Sequence, residues 1–185
     1  MGFGLKSLFL KFGKDVFMLF SFGSTVCFIL LDVLPHPIRN LFFKLRLGKL
    51  GKGVLIDYKV YMRYLNNIEI GNGVAINRGC EFYTSMGLGK KIVLGENVVI
   101  SPNSKFYGAA HDHRKPEMPD IAGDIIIGDG CWICADCTLL PGVEVGRGSV
   151  VAAGSVVVND IPEYSVAAGN PAKVVRKREM HEVNA

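Results

Sequence analysis

The sequence predicts an all-β protein, a parallel β-helix of hexapeptide repeats, preceded by an apolar helical arm. Three observations carry that prediction. Aliphatic or aromatic residues recur every six positions, at Leu50, Ile56 and Met62, then Ile70, Ile76, Phe82, Leu88, Leu94, Ile100 and Phe106, then Ile127, Ile133, Leu139, Val145, Val151 and Val157. Glycine often follows the leading residue, as at Gly51, Gly71, Gly89, Gly95, Gly128 and Gly146, and a small or apolar residue often stands four places on, as at Val54, Val74, Val98, Val143, Ser149 and Ser155. Before the repeats begin, Val16 to Leu31 carries no charge at all. Neither a helix nor a hairpin produces a period of six. One short strand and one turn per hexapeptide does, with three hexapeptides to a triangular coil and coils stacked about 4.8 Å apart.

The elements follow in order. Residues 1–47 form the arm, expected to be helical. Lys11 and Lys14 precede its apolar run, and Arg39, Lys44 and Arg46 follow it. The run is short of the ~20 residues of a spanning helix, and no A-x-A-like cleavage site follows it. Three readings stand open. The arm lies in a membrane interface beside the basic amphipathic stretch "IRNLFFKLRL"; it dips into one leaflet and turns back at Pro35 and Pro37; or it is a soluble helix pair capping the main domain. Peripheral membrane contact through residues 1–47 is the expectation, with the chain cytoplasmic, at the inner face of the membrane.

Residues 48–170 form the β-helix. The leading residues point inward, and glycine or a small polar residue takes the turn. The period breaks twice: by two residues between Met62 and Ile70, and by a longer loop, 107–126, between Phe106 and Ile127. A β-helix throws such insertions off a corner, and loops held by a rigid scaffold commonly carry function. Residues 171–185 are a basic C-terminal tail.

Composition narrows the function classes. Hydrophobic residues make up 49% of the 185, with 22 glycines and a net charge of +4. No long basic run and no nucleic-acid motif is present, which argues against a nucleic-acid partner. The five cysteines fit a reducing compartment better than a disulfide framework. Three of them, in "GDGCWICADCTLLPG", have the look of a metal site, but in the six-residue register Cys131 and Cys137 stand four places after a leading residue and Cys134 takes a turn position. Thiols on different edges of a coil do not converge within the ~2.3 Å that zinc requires. No metal is expected, and the cysteines read as small packing residues, as does Cys80.

The stretch "IGDGCWICADCTLLPGVEVGRGSVVAAGSVVVNDIPEYSVAAGNPAKVVRKR" resembles the C-terminal half of the hexapeptide-repeat acyltransferases, which include galactoside and maltose acetyltransferases and polysaccharide O-acetyltransferases. The resemblance covers residues 50–178. It implies a left-handed β-helix, an exception to the usual right-handed crossover, together with a homotrimer and acetyl-CoA as acyl donor. The arm and "LPHPIRNLFFKLRLGKLGKGV" are similar to the start of the surface-polysaccharide branch.

That resemblance assigns roles. His111, at the start of the long loop, matches the family's general base, and imidazole suits proton removal from a hydroxyl near neutral pH. His113 is the second choice, as base or as a brace for the acceptor. Asp112 and Glu81 are candidates to orient the imidazole, and both are assigned to the acceptor side of the site. Ala135 and Ala153 would border the pantetheine arm of CoA. Val158 and Asn159 stand where the family often has Thr-Lys, so a charge contact is lost there. Lys173, Arg176 and also Arg178 are placed to meet phosphates. The function implied is O-acetylation of a sugar or glycan hydroxyl in surface-polysaccharide assembly. N-acetylation of a nucleotide-linked amino sugar and a non-catalytic scaffold are the alternatives. A γ-type carbonic anhydrase needs three histidine ligands, and His36 and His181 lie outside the repeats.

Overall fold

The computed structural model describes residues 2–179, with side chains from Asp15 onward; His181 and the end of the basic tail lie outside the described residues. The chain divides into two compact units, Met1–Arg39 and Asn40–Ala185.

In the first unit, helix α1 spans Gly2–Val33. Pro35 and Pro37 then stop one helix and start the next: the residue before a proline disfavours helical backbone, whereas the first helical turn tolerates proline because its N–H groups have no partner within the helix. Pro35 provides the carbonyl that accepts from the N–H groups of Ile38 and Arg39, at 3.1 and 3.2 Å. Helix α2 spans His36–Arg46, so it begins in the first unit and continues into the second, and it ends on Lys44 and Arg46, basic residues that suit the negative end of a helix dipole. The Arg39 guanidinium lies 3.7 Å from the Asp32 carboxylate.

The second unit is a triangular prism. Its first face stacks Lys49–Leu50, Ile68–Ile70, Ile92–Leu94, Ile125–Ile127 and Glu144–Val145 in parallel. The second stacks Leu55–Ile56, Ala75–Ile76, Val99–Ile100, Trp132–Ile133, Val150–Val151 and Ser165–Ala168. The third stacks Tyr61–Arg63, Glu81–Tyr83, Lys105–Tyr107, Thr138–Leu139 and Val156–Val157. The register places repeat upon repeat, for example Ile76 on Ile100 and Ile133 on Val151. Ile70, Ile76, Phe82, Ile100, Phe106, Ile133, Leu139, Val145, Val151 and Val157 are fully buried. The Phe82 and Phe106 rings stack at 4.6 Å.

The corner residues also point inward, and many of them donate a hydrogen bond to the next coil. Cys80 donates to the Ser101 carbonyl at 3.2 Å, Ser104 to Cys134 at 2.9 Å, Cys137 to Ala152 at 3.1 Å, Cys131 to Gly146 at 3.1 Å and Ser149 to Pro162 at 2.7 Å. These buried short side chains are satisfied by turn carbonyls of the next coil. Cys134 and Cys137 share one turn, between the second and third faces, instead of standing on separate edges. Among the described residues, no group of three or more His, Cys, Asp or Glu is arranged to hold a metal ion.

Two positions depart from the sequence period. Leu88 is not a leading residue. It is 46% exposed, in a loop between Tyr83 and Ile92, and Gly89 lies in the same loop, outside the glycine stack. The stacked third-face and first-face residues here are Phe82 and Leu94, so one whole hexapeptide is inserted without disturbing the phase. The three insertions, after Met62, Phe82 and Phe106, all leave the corner that joins the third face to the first. The third differs from a plain loop: Ala109–His111 and Asp120–Ala122 pair as an antiparallel hairpin. At the C-terminus, Lys173–Lys177 is a strand, antiparallel to Ser165–Ala168 on the second face.

Candidate active site

The insertions build on one another at their shared corner. The Thr84 hydroxyl donates to the Arg63 carbonyl at 2.7 Å, and Asn67 donates to the Ser85 carbonyl at 2.7 Å. The Gly108 N–H donates to the Tyr83 carbonyl at 2.8 Å. Asp124, just past the hairpin, accepts from the Lys91 N–H at 2.8 Å and from the Lys90 ammonium at 2.9 Å. These contacts hold its carboxyl below the usual range, the Lys91 N–H first among them. The base of the hairpin is thereby tied to the loop of the coil beneath.

His111 ends the first hairpin strand, directly opposite Asp120. Its Nδ1 is 3.1 Å from the Asp120 carboxylate and 3.1 Å from the Met118 carbonyl. The carboxylate and the carbonyl both accept, so in the neutral ring the hydrogen sits on Nδ1 and the lone pair on Nε2. An imidazole held in that tautomer is a general base at Nε2. The imidazole is largely exposed.

Neither expected carboxylate orients His111. Asp112 is buried and turned the other way. It accepts from the Arg114 Nε at 2.8 Å and from the Arg114 backbone N–H at 3.2 Å, and the Arg114 side chain is the first cause of its lowered pKa. Its own N–H donates to the Pro119 carbonyl at 2.9 Å, so Asp112 shapes the hairpin turn. Glu81 accepts from the Tyr83 hydroxyl and lies 3.9 Å from the Lys105 ammonium. It belongs to an outward row on the third face where the Tyr83 and Tyr107 rings stack at 5.3 Å. Burial and the Glu81 contact push the Tyr83 phenol up. His113 is exposed in the hairpin turn. Asp120 escaped the sequence reading, because only the hairpin register brings position 120 opposite 111.

The residues expected to meet the donor lie elsewhere. Ala135 and Ala153 occupy equivalent turn positions of successive coils, between the second and third faces, and the Gly154 N–H donates to the Ala135 carbonyl at 2.9 Å. Ala135 is half-buried and Ala153 exposed along that edge. Lys173 and Arg176 are exposed on the terminal strand, opposite Ala168 and Val166. Val158 and Asn159 are exposed after the last strand of the third face. Arg178 is differently employed: its guanidinium donates to the carbonyls of Gly130 and Gly148, at 3.1 and 2.8 Å, which locks the terminal strand to two turns and leaves it poorly placed for phosphate. Trp132, unremarked in the sequence, is 46% exposed on the second face, with its indole N–H donated to Ser101 at 2.9 Å. A cleft of about 650 Å³ on the first face is lined by Val93, Ile126, Glu144, Arg147, Asp160 and Glu163 among others, and by none of the residues expected to meet the donor or act as base. Its four carboxylates, those of Asp129, Glu144, Asp160 and Glu163, suit phosphate poorly.

His111 and the alanine edge thus occupy different corners of the prism. One chain does not bring them together.

The family model "Bacterial transferase hexapeptide (six repeats)" matches residues 124–159. The chain is 37% identical to "Putative colanic acid biosynthesis acetyltransferase WcaF" of Escherichia coli K12 over 138 residues, 74% of each chain. It is 41% identical to "Putative acetyltransferase YJL218W" of Saccharomyces cerevisiae over 134 residues, 71% of this chain and 66% of that one, so the match spans just under two thirds of the yeast protein. Among solved structures, a Vibrio cholerae hexapeptide-repeat acetyltransferase complexed with acetyl-CoA superimposes with a TM-score of 0.77 at 28% identity, covering 85% of this chain and 86% of the other. A maltose O-acetyltransferase from Clostridium difficile does so with a TM-score of 0.77 at 29% identity, covering 85% of each.

Proposed function

The chain belongs to the hexapeptide-repeat acetyltransferases, built on the left-handed β-helix, and from that premise we propose that it transfers an acetyl group from acetyl-CoA to a hydroxyl of a sugar or glycan, in the assembly of a surface polysaccharide. The observation that carries the chemistry is the Nδ1 clamp on His111, 3.1 Å from both Asp120 and the Met118 carbonyl. The polysaccharide setting is supported by the likeness to the colanic acid relative, and the hydroxyl acceptor by the likeness to the maltose O-acetyltransferase.

In the mechanism, Nε2 of His111 takes the proton of the acceptor hydroxyl as its oxygen bonds to the thioester carbonyl carbon. The C–S bond breaks, and His111 returns the proton to the departing CoA thiolate. Asp120 steadies the imidazolium between these steps. His113 and Glu81 stand on the acceptor side, with Asp112 holding the hairpin in shape. Ala135 and Ala153 border the pantetheine arm, Lys173 and Arg176 meet phosphates, and Val158 and Asn159 flank the donor without charge. Because the base and the alanine edge lie at different corners, the working site forms between copies of the chain, as a homotrimer provides.

The test is acetyl-CoA consumption with a panel of sugar and nucleotide-sugar acceptors. His111→Ala should lower kcat about 10²–10⁴-fold with CoA binding retained. Asp120→Asn should lower it less, about tenfold, because the Met118 carbonyl still fixes the tautomer. Turnover of His111→Ala equal to wild type removes His111 from the mechanism. Acceptance of amino sugars alone replaces O- with N-acetylation.

A further inference from the structure

We infer that helix α1 is a membrane anchor, inserted into a bilayer rich in anionic headgroups, with the β-helix held on the cytoplasmic side. This goes beyond the transferase reading and does not depend on it.

Asp15–Val33 is a stretch of 19 residues long and apolar enough to cross a membrane. At 1.5 Å per residue it reaches about 28 Å, close to the ~30 Å hydrocarbon layer. Five consecutive apolar residues, Val16 to Phe20, are all exposed, and consecutive positions cover every side of a helix. Farther along, Phe22, Val26, Ile29, Leu30 and Val33 form an exposed apolar stripe, with Val33 at 76%. Water tolerates such a surface poorly, whereas lipid needs no partner protein to cover it.

The polar groups fit the same environment. Thr25 donates its hydroxyl to the Ser21 carbonyl at 2.9 Å, within the helix, as polar groups in hydrocarbon must. Among residues 15–33, Asp15 and Asp32 are the charged side chains, one at each end. Lys6, Lys11 and Lys14 precede the segment, while Arg39, Lys44, Arg46, Lys49 and Lys52 follow it with no acidic residue from 34 to 52. The larger basic cluster marks the side kept in the cytoplasm. Helix α2 continues the pattern. Its exposed Ile38, Leu41 and Leu45 recur at helical spacing on one side, and exposed Lys44 and Arg46 lie on the two flanks of that stripe. Such a helix lies in the interface, apolar side down, with its cations among the phosphates.

The experiment uses the full chain. Purified protein is mixed with vesicles of phosphatidylcholine containing phosphatidylglycerol and floated on a density gradient, and the floated fraction is then washed at alkaline pH. Wild type should float and survive the wash. Leu19→Asp combined with Leu30→Asp should lower the floated fraction about tenfold or more, with acetyl-CoA turnover in solution matching wild type. A second measurement needs no substitution: half-buried Cys27, inside the segment, should lose labelling by a water-soluble maleimide when vesicles are added. Wild-type protein that stays at the bottom of the gradient overturns the inference. Flotation reversed by the wash, with Cys27 labelling unchanged, also overturns it, because that is surface adsorption. Flotation with no acetyl transfer leaves the anchor standing and counts against the transferase reading alone.

Discussion

A single thiol shows how the fold uses its residues. Cys80 and Cys137 occupy interior corner positions that Ser104 and Ser155 take in the same column, and burial pushes both thiols up to about 11 from 9.0. Burial likewise raises Cys131 and Cys134. The raised value favours the protonated thiol in the folded state. The stability this contributes is fully present below the unfolded pKa, and it is lost as pH climbs from about 9 to about 11. Urea midpoints should therefore fall across that window in wild type, and fall less in the Cys80→Ser, Cys137→Ser double variant. Iodoacetamide at mildly alkaline pH should spare Cys80 and Cys137 in the native protein, with roughly a hundredfold less thiolate than an unshifted thiol offers. Rapid native alkylation of either would contradict their burial. His111 shows the opposite use of a side chain, exposed and held at one nitrogen only.

At the scale of the coil, two kinds of glycine do different work. Gly71 is needed for close approach: a Cβ there would stand 2.5 Å from the Gly95 carbonyl oxygen and 2.6 Å from its carbon, in the backbone of the next coil. Gly53 is needed for conformation alone, with φ at +66° and nothing within reach of a Cβ. Backbone cannot yield as a side chain can, so Gly71→Ala should cost about 3 kcal/mol, and Gly53→Ala about 1 kcal/mol. Chemical denaturation of the two variants checks the order. Equal losses would mean that the coils can separate locally at no cost. The same close stacking explains why insertions leave the coil at a corner and build outward as loops and a hairpin.

At the scale of the molecule, the proposed base, His111, and the proposed donor edge, Ala135 and Ala153, stand at different corners, and this has a direct consequence. His111→Ala and Ala153→Trp should each abolish most turnover when assembled alone. Co-expressed, the two variants should recover activity, because a mixed assembly contains a junction with an intact His111 from one copy and an intact alanine edge from another. Recovery is read from turnover in protein purified through two different tags. No recovery, with mixed assembly demonstrated by mass, would place the whole site within one chain and contradict the corner assignment.

The six-residue period by itself determined the coil, its inward residues and the position of the long insertion, because a stacked repeat must place equivalent residues on equivalent faces. It could not reveal the loop holding Leu88, since an insertion one repeat long preserves the phase. Nor could it reveal Asp120 as the partner of His111, or the use of Arg178 on the Gly130 and Gly148 carbonyls. Those pairings depend on the register of a hairpin and on a terminal strand folding back across the second face. Only the tertiary structure decides them, because hydrogen bonds between distant segments follow from where the backbone brings two atoms together, and the sequence period describes one coil at a time.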